Sequence, residues 1–155
     1  MRIEPLNKYK HFTHDIAKML HEEWSDLSPW ASIHTIENRF NTSSNEEIFP
    51  ITLLALSDED CLIGTASVKL LEVPSHPNKV HWLGEVFIPK ELRGQGIGSA
   101  LILFCINYCV NNQVSELFLY TPDQQALYRR FGWVDIDSLE VNGEQVSVMK
   151  LDLRK

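Results

Sequence analysis

Several protein classes are excluded by features that this sequence lacks. Its three cysteines are an odd number, which argues against a disulfide framework. The longest apolar run, Leu101 to Val110, is too short to cross a bilayer. The first residues, with Lys8, Lys10 and His11 among polar neighbours, lack the apolar segment of a secretion signal. We therefore expect a cytoplasmic protein that does not enter a membrane.

Positive charge is also scarce. The chain carries 14 lysines and arginines against 21 acidic residues, a net charge of −7, and its cations are scattered. Nucleic-acid binding requires clustered Lys and Arg, so nucleic acid is not an expected partner. Acidic residues gather at Glu22, Glu23 and Asp26, and again at Glu46 and Glu47. They could steer a cationic amine toward this half of the molecule, or form only a solvated surface.

Composition predicts one compact domain with a buried core. The 155 residues are 44% hydrophobic, which suits a single domain spanning residues 1–155. Cys105 and Cys109 lie one turn apart on a predicted helix whose apolar face should be buried. Neighbouring sequence supplies neither His nor Cys as further ligands, so we expect core positions here and no metal site.

Apolar periodicity and turn residues predict a mixed order of helices and strands. One amphipathic helix should be capped by Thr13 and extend to Leu27, and a second should start at Ser32. Pro29 would separate them, and residues 41–47 should form a polar loop. Strands are expected at residues 2–6, 51–56, 62–71, 80–88, 116–121, 139–141 and 145–153. Residues 74–78 would connect the third strand to the fourth, and Asn142-Gly143 predicts a tight hairpin near the end.

A glycine-rich run, Arg93-Gly94-Gln95-Gly96-Ile97-Gly98, follows the predicted strand that ends at Ile88 and leads into a helix from Ser99 to Val110. Glycine adopts positive φ at little cost and lets the backbone approach a ligand closely. The amides at the helix start, the helix dipole and the Arg93 charge together favour an anion such as a pyrophosphate.

Spacing separates the motifs that use such a turn. A P-loop needs a Gly-Lys pair, and the chain has none. A dinucleotide fingerprint counted from Gly94 would need its last glycine at Ser99, so that match is partial. Three strands in succession before the turn also do not fit a Rossmann unit. A glycine-rich helix start that binds no ligand stays open.

The run does fit the pattern Arg/Gln-x-x-Gly-x-Gly/Ala, and here the chain resembles the GNAT acyltransferases. A second matching element comes later in the chain, where Leu127-Tyr128 precedes Phe131-Gly132-Trp133. The resemblance covers roughly residues 50 to 153. It implies the α/β GNAT fold, a mixed sheet of about seven strands with four helices, in which the fourth and fifth strands splay apart.

The resemblance further implies acetyl-CoA as co-substrate and a primary amine, on a small molecule or a peptide, as acceptor. The pantetheine arm would enter between the splayed strands, and the amine would attack the thioester directly through a tetrahedral intermediate. Tyr128 stands where family members keep the tyrosine proposed as general acid. The implied cofactor-binding residues are Val86, Phe87, Ile88, Arg93, Gly94, Gln95, Gly96, Ile97, Gly98, Ser99, Thr121, Asp123 and Tyr128.

Two departures from the family pattern affect the site. Family members often carry an acid or a histidine at positions that fall here on Trp82 and Gly84, and neither residue accepts a proton. Glu85 lies beside them and is the candidate base, with a water relay as the alternative. Strict alternation would aim Glu85 at the opposite face of the sheet unless a bulge re-aims it. Thr121 replaces an asparagine that contacts the cofactor in many members.

Two other functions stay open. The missing acid or histidine suggests a non-catalytic CoA-binding sensor or interaction module of the same fold. The partial glycine match suggests a nucleotide-binding oxidoreductase. Residues from about Ile16 to Phe40 would form much of the acceptor wall, but they do not identify the amine. The carboxy-terminal hairpin offers an edge at which a second copy could pair to form a homodimer.

Overall fold

A computed structural model describes residues 1–27, 30–41, 48–70 and 79–154. Seven strands and four α-helices make up the described part of the chain. They are β1 Arg2–Pro5, α1 Thr13–Trp24, α2 Ile33–Asn41, β2 Ile51–Leu56, β3 Leu62–Leu70, β4 His81–Phe87, α3 Ile97–Asn111, β5 Glu116–Thr121, α4 Gln125–Arg130, β6 Val134–Val141 and β7 Glu144–Asp152. Short 3-10 turns precede α1 and α3.

The strands form one mixed sheet in the order β1-β2-β3-β4-β5-β7-β6. The β4–β5 pair is parallel, and the other neighbouring strands are antiparallel. Trp82 and Phe118 are the paired positions between β4 and β5. Among the described residues, no other positions of β4 and β5 are paired. The mixed α/β fold with a splayed central pair, expected from the sequence, is confirmed.

Helices cover both faces of the sheet because its strands carry apolar side chains on both sides. Helix α3 packs on one face, where Leu101, Ile102 and Cys105 are fully buried against β2, β3 and β5. Helices α1 and α2 pack on the other face over Leu54 and Leu56 of β2. The apolar spacing that the sequence showed in these helices therefore marks their core-facing sides.

The three thiols differ in accessibility as the sequence suggested. Cys105 and Cys109 are buried on the core side of α3, and Cys61 is exposed in the β2–β3 turn. Burial raises the pKa of Cys109 to about 12. Burial, with Cys109 close by, also raises the pKa of Cys105. Because the thiolate is the reactive form, the two core cysteines should be inert at neutral pH.

We expect an aromatic disulfide reagent to label one thiol per native chain at neutral pH, and three after denaturation. The measurement is the absorbance of the released chromophore with and without denaturant. Cys61→Ser is the control, and it should abolish the native signal. Rapid labelling of a second thiol in the native protein would contradict the burial of the α3 cysteines.

Element boundaries differ from expectation at several points. Helix α1 ends at Trp24 rather than Leu27, and Thr13 is a buried helical residue rather than its cap, since Phe12 occupies the cap position. Strand β6 begins at Val134, five residues earlier than the expected Leu139. Its first residues are exposed, and a register shift against β7 between Asp135 and Asp137 puts their apolar alternation out of phase with that of the residues from Leu139 onward. Pro29 and the connection at residues 74–78 lie outside the described residues, as do residues 42–47 of the polar loop.

Other local expectations are confirmed. Ser32 accepts a hydrogen bond from the Thr35 backbone N–H at 3.3 Å, which caps α2. Asn142 and Gly143 have φ values of 52° and 83° and join β6 to β7 as a tight hairpin. Gly132 has a φ of 107° and ends α4 before Trp133 and β6.

Candidate functional site

The glycine-rich run forms an exposed loop between the end of β4 and the start of α3. Gly94 and Gly96 have φ values of 81° and 83°, a left-handed conformation that favours glycine. No heavy atom lies within 4 Å of the place that a Cβ would occupy at either position. The loop thus presents bare backbone to open space on its outer side. Ile97 beside it is buried, which anchors the loop to the core.

The start of α3 leaves backbone donors without acceptors. Gly96 is the cap residue and supplies no side-chain hydrogen bond, and the Ala100 N–H donates to the Gly96 carbonyl at 3.0 Å. The N–H groups of Ile97, Gly98 and Ser99 precede that first helical bond, so the helix itself does not satisfy them. The positive end of a 15-residue helix adds to their field. An anion is the natural ligand for this arrangement.

Arg93 joins this loop to the end of β4. Its Nε donates a hydrogen bond to the Ile88 carbonyl oxygen at 2.9 Å, and its guanidinium carbon lies 5.6 Å from the centre of the Phe87 ring. Three of the predicted cofactor-binding residues, Phe87, Ile88 and Arg93, therefore lie together. The side chain stays exposed, which leaves its other nitrogens open to solvent or to a ligand.

The end of β5 forms the other side of the gap. The Thr121 hydroxyl accepts hydrogen bonds from the backbone N–H groups of Asp123 at 3.4 Å and Gln124 at 3.0 Å. Gln125 donates from its side chain to the Thr121 carbonyl at 3.3 Å and to the Ser147 hydroxyl at 3.1 Å. Thr121 is buried and shapes the turn into α4, while Asp123 is exposed beside it.

Tyr128 lies on α4 and is buried against the core side of α3. Its ring meets Trp133 edge-on, with 5.7 Å between the ring centres. Burial, with a smaller contribution from Cys105, raises the pKa of Tyr128 to about 12. None of the residues that the structure describes forms a hydrogen bond with the Tyr128 hydroxyl. The phenol is therefore protonated, and its hydroxyl remains available to donate to a ligand.

Glu85 lies at a bulge in β4. Thr65 pairs with Phe87 and Ser67 pairs with Gly84, so two steps along β3 match three steps along β4. Glu85 itself has a φ of 55°, which is rare for a residue other than glycine. The bulge turns the Glu85 side chain toward α2 and away from the Leu83 face that strict alternation would give. A bulge was required for Glu85 to point away from the face that alternation assigns to it, and the structure has that bulge.

The Glu85 carboxylate is enclosed by cationic and polar groups, and its side chain is only 3% exposed. Oε1 lies 3.0 Å from an Arg39 guanidinium nitrogen and accepts a hydrogen bond from the Ser67 hydroxyl at 3.1 Å. Oε2 lies 2.6 Å from the Lys69 Nζ, a close ion pair. Burial alone would raise the pKa of Glu85, but Lys69 and Arg39 outweigh it and hold the pKa below its usual range.

Sequence reasoning missed Arg39 and Lys69 as parts of this site. Strand β3 carries Ser67 and Lys69 two residues apart among apolar neighbours, so both side chains point to one face. Two polar residues spaced two apart inside an otherwise apolar strand could have indicated that Lys69 belongs to a site. Arg39 gave none, because an arginine in the last turn of an amphipathic helix is ordinary.

The face that carries Glu85 also contains a half-open cavity and a more open groove. The cavity has a volume of about 180 Å³ and lies beneath α2, between apolar Phe40 and Ile51 and polar Thr52. The groove, of about 710 Å³, runs between α1 and the end of β4 and includes Phe87. Its acidic lining residues are Asp15, Glu22, Glu23, Asp60 and Glu91. Glu46 and Glu47, the second acidic pair noted in the sequence, lie outside the described residues.

Aromatic side chains connect these features. Trp24 lies between Phe87 and Trp30, with ring centres 5.9 Å and 5.5 Å apart. The Arg39 guanidinium stacks on Trp30 at 4.7 Å from the ring centre. The end of β4 is thereby packed against the α1–α2 region that the sequence suggested as the acceptor wall. His81, at the other end of β4, packs edge-on against Phe49, and burial lowers its pKa.

Among the described residues, no three His, Cys, Asp or Glu side chains come together in a way that could hold a metal ion. Within the same residues, no helix is both long enough and apolar enough to span a membrane.

Comparison with known proteins agrees with this geometry. The family model described as the acetyltransferase (GNAT) family matches residues 11–133. An aminoglycoside 6'-acetyltransferase of type Ii superposes with a TM-score of 0.76 at 16% identity, with 100% of this chain and 99% of that chain covered. An aminoglycoside 6'-N-acetyltransferase in complex with coenzyme A gives 0.73 at 14% identity, with coverage of 100% and 98%.

A third structure has the same fold. It is a chimera of a spermidine N-acetyltransferase from Vibrio cholerae and hSSAT, with a TM-score of 0.72 at 17% identity. The match covers 98% of this chain and 95% of that one. At these identities the three superpositions establish the fold alone.

Proposed function

The chain belongs to the GNAT acetyltransferase family, and on that premise we propose that it transfers the acetyl group of acetyl-CoA to a primary amine of a small molecule or a peptide. The observation that carries the proposal is the position of the loop at residues 93–98. In support, the amides that α3 does not bond internally and the Arg93 side chain follow directly on the end of β4, whose ladder with β5 pairs only Trp82 with Phe118 among the described residues. A diphosphate would bind at that loop, and an extended thioester arm would lie along Val86 to Ile88.

The proposed binding mode follows from the chemistry of the two strands. Beyond Trp82, the β5-facing edge of β4 is not paired with β5, so its backbone groups can pair with the amides of a pantetheine chain, as an added strand would. Acetyl-CoA supplies an activated acetyl group. Main-chain N–H groups near Phe87 and Ile88 would stabilise the oxyanion that develops at its carbonyl. The remaining residues proposed for the cofactor are Gln95, Thr121 and Asp123.

Proton transfer needs a donor and an acceptor. An alkyl ammonium has a pKa of about 10.4, so the amine must lose a proton before its lone pair can attack. Tyr128 is the proposed donor to the sulfur as the carbon–sulfur bond breaks, because its hydroxyl is protonated and forms no hydrogen bond with another described residue. Glu85 is the base that the sequence offers. Its two cationic partners make it a weak one, which favours a water relay from the amine to solvent.

The groove beside Phe87 supports an amine as acceptor. Five carboxylates line it, against the two cations Lys18 and Lys90. Such a surface attracts a cation and raises its local concentration near the end of β4. The names of the similar structures include spermidine and aminoglycosides, both of which are amines, and this agrees with the proposal without selecting one acceptor. Edge strand β6 supports the accompanying hypothesis of a homodimer.

The proposal is tested first by binding and then by turnover. At one hundred times its dissociation constant, acetyl-CoA should raise the melting temperature by roughly 5 °C or more, whereas NAD and ATP should not. A panel of amino acids, polyamines, aminoglycosides and peptides, followed by thiol release, should then identify an acceptor. Because Cys61 is exposed, the protein itself should contribute a constant thiol background.

The alternative functions give different results in the same two measurements. Binding of acetyl-CoA with no thiol release from any amine would favour a CoA-binding sensor, which the absence of an acid or histidine at Trp82 and Gly84 suggests. Stabilisation by NAD alone would favour an oxidoreductase and contradict the proposal.

A further inference from the structure

The bulge in β4 is a strained local structure at the centre of the proposed site. Glu85 adopts a φ of 55°, a conformation that costs a residue with a Cβ free energy relative to extended backbone. Such outliers persist when their surroundings hold them in place. The surroundings here are unusually specific, since Glu85 contacts a hydroxyl and two cations from other elements.

These contacts join three elements at one carboxylate. Ser67 and Lys69 belong to β3, the neighbour of β4, and Arg39 belongs to α2 above the sheet. Both cationic contacts are within 3.0 Å, and the carboxylate is 3% exposed. Ion pairs in such an environment are short, and removal of either cation leaves the buried Glu85 charge with only part of its compensation. The Glu85 side chain is therefore fixed in direction, and with it the backbone of its own residue.

The bulge changes which face of the sheet each side chain of β4 points to, starting at Val86. The extra residue in β4 lies directly before the segment of Val86 to Ile88 that would bind the pantetheine amides. If β4 lost the bulge, the residues after Glu85 would exchange sheet faces, because side chains alternate with a period of two. Val86 and Ile88 now pack toward the α3 core, and Phe87 packs toward α1. The bulge thus determines which main-chain groups face the β4–β5 gap.

We propose that Lys69 and Arg39 are positioning residues that act through Glu85 to hold the bulge of β4, so that Glu85 orients the main chain of Val86 and Phe87 and does not accept the proton of the amine. The turnover measurements that test this inference rest on the proposed function. The backbone measurement does not, so failure of one proposal can be distinguished from failure of the other.

A matched pair of substitutions at Glu85 distinguishes a positioning role of this residue from a role in proton transfer. Glu85→Gln and Glu85→Gly both remove the carboxylate, but glycine adopts positive φ without strain and should keep the bulge. We expect Glu85→Gln to lower kcat by about 10-fold through misplacement of the main chain. Glu85→Gly should recover most of that loss. Equal loss in both variants would overturn the inference in favour of a base.

Lys69→Met tests the same inference from β3. Positioning predicts a loss in kcat similar to that of Glu85→Gln, with the acidic limb of the kcat/KM profile at its original pH. If Glu85 were the base, loss of the lysine would raise the pKa of its carboxyl and move that limb to higher pH. A shifted limb would therefore contradict the inference. Lys8→Met, which removes an exposed lysine outside the site, is the control and should leave kcat within about twofold.

Hydrogen exchange gives a readout that needs no acceptor. In the peptide that covers residues 81–88, Lys69→Met and Glu85→Gln should increase amide exchange by about 10-fold relative to Lys8→Met, and Glu85→Gly should increase it less. Melting curves establish that each variant is folded. If Lys69→Met does not fold, the two Glu85 variants still decide the question. Unchanged exchange in Glu85→Gln, and in Lys69→Met where that variant folds, would overturn the inference, whether or not an acceptor is found.

Discussion

Replacing Tyr128 with phenylalanine should lower kcat by about 10² or more while changing acetyl-CoA affinity by less than about threefold. The phenol is the proposed proton donor to the departing sulfur. Phenylalanine keeps the ring that packs against Trp133, so the core around α4 should be preserved. No hydrogen bond of the hydroxyl to another described residue is lost, and the melting temperature should therefore stay close to that of the unsubstituted protein. Steady-state thiol release and calorimetric titration measure the two parameters.

Tyr108→Phe is a matched control for this substitution. Tyr108 is a residue of α3 and packs against the same core cluster, but its hydroxyl donates to the Ile48 carbonyl at 2.8 Å. Its removal should leave kcat within about twofold. If Tyr128→Phe released thiol as fast as the control, the phenol would be removed from the proposed chemistry.

The pH dependence gives a second check on Tyr128. Because burial raises the pKa of Tyr128 to about 12, the hydroxyl stays protonated through the range in which the protein can be assayed. The donor should therefore produce no fall in kcat between neutral pH and about pH 10. An alkaline decline that disappears in Tyr128→Phe would show that the bound state lowers the pKa of this phenol.

The glycine loop and the strands around it were predictable from sequence because their signals are local. Positive φ at Gly94 and Gly96 follows from glycine at those positions, and β5 was predicted at its observed residues because a β-rich run ends at Pro122. The helix after the loop was also predicted, apart from its first residues. Each of these features depends on neighbours in the chain, which a single sequence contains.

The surroundings of Glu85 were less predictable because they depend on distant contacts. The sequence allowed a bulge at this residue, but it could not indicate that Ser67 and Lys69 would face it across the β3–β4 ladder. Arg39 comes from α2, far away in sequence. The early part of β6 was missed for a related reason, since a register shift against β7 changes the phase of its apolar alternation, and that shift depends on a strand later in the chain.

Together these observations divide the site into two parts with different origins. The proposed diphosphate end is encoded by a short motif and needs little from the rest of the fold. The proposed acyl end would depend on a strained β4 backbone that contacts with β3 and α2 hold in place. Substitutions at the first part should change acetyl-CoA affinity, whereas substitutions at the second should mainly change kcat.

The substitution Gly96→Val tests the diphosphate end, and we expect it to weaken acetyl-CoA binding by about 30-fold. A β-branched residue at a φ of 83° is strained by about 2 kcal/mol, so the free loop should relax to a negative φ. Binding would then have to restore the strained conformation, and 2 kcal/mol corresponds to about 30-fold in Kd. Calorimetric titration with acetyl-CoA measures the loss.

Gly143→Val provides the control for backbone strain alone. Gly143 has the same φ of 83° and equally open space at its Cβ position, but it lies in the β6–β7 hairpin. Gly143→Val should lose thermal stability because the hairpin holds valine in a left-handed conformation, whereas the relaxed loop of Gly96→Val should lose less. Only Gly96→Val should lose acetyl-CoA affinity, since only that position lies at the start of α3. Similar affinities in the two variants would mean that the diphosphate binds elsewhere, because strain at the loop would then have no effect on the ligand.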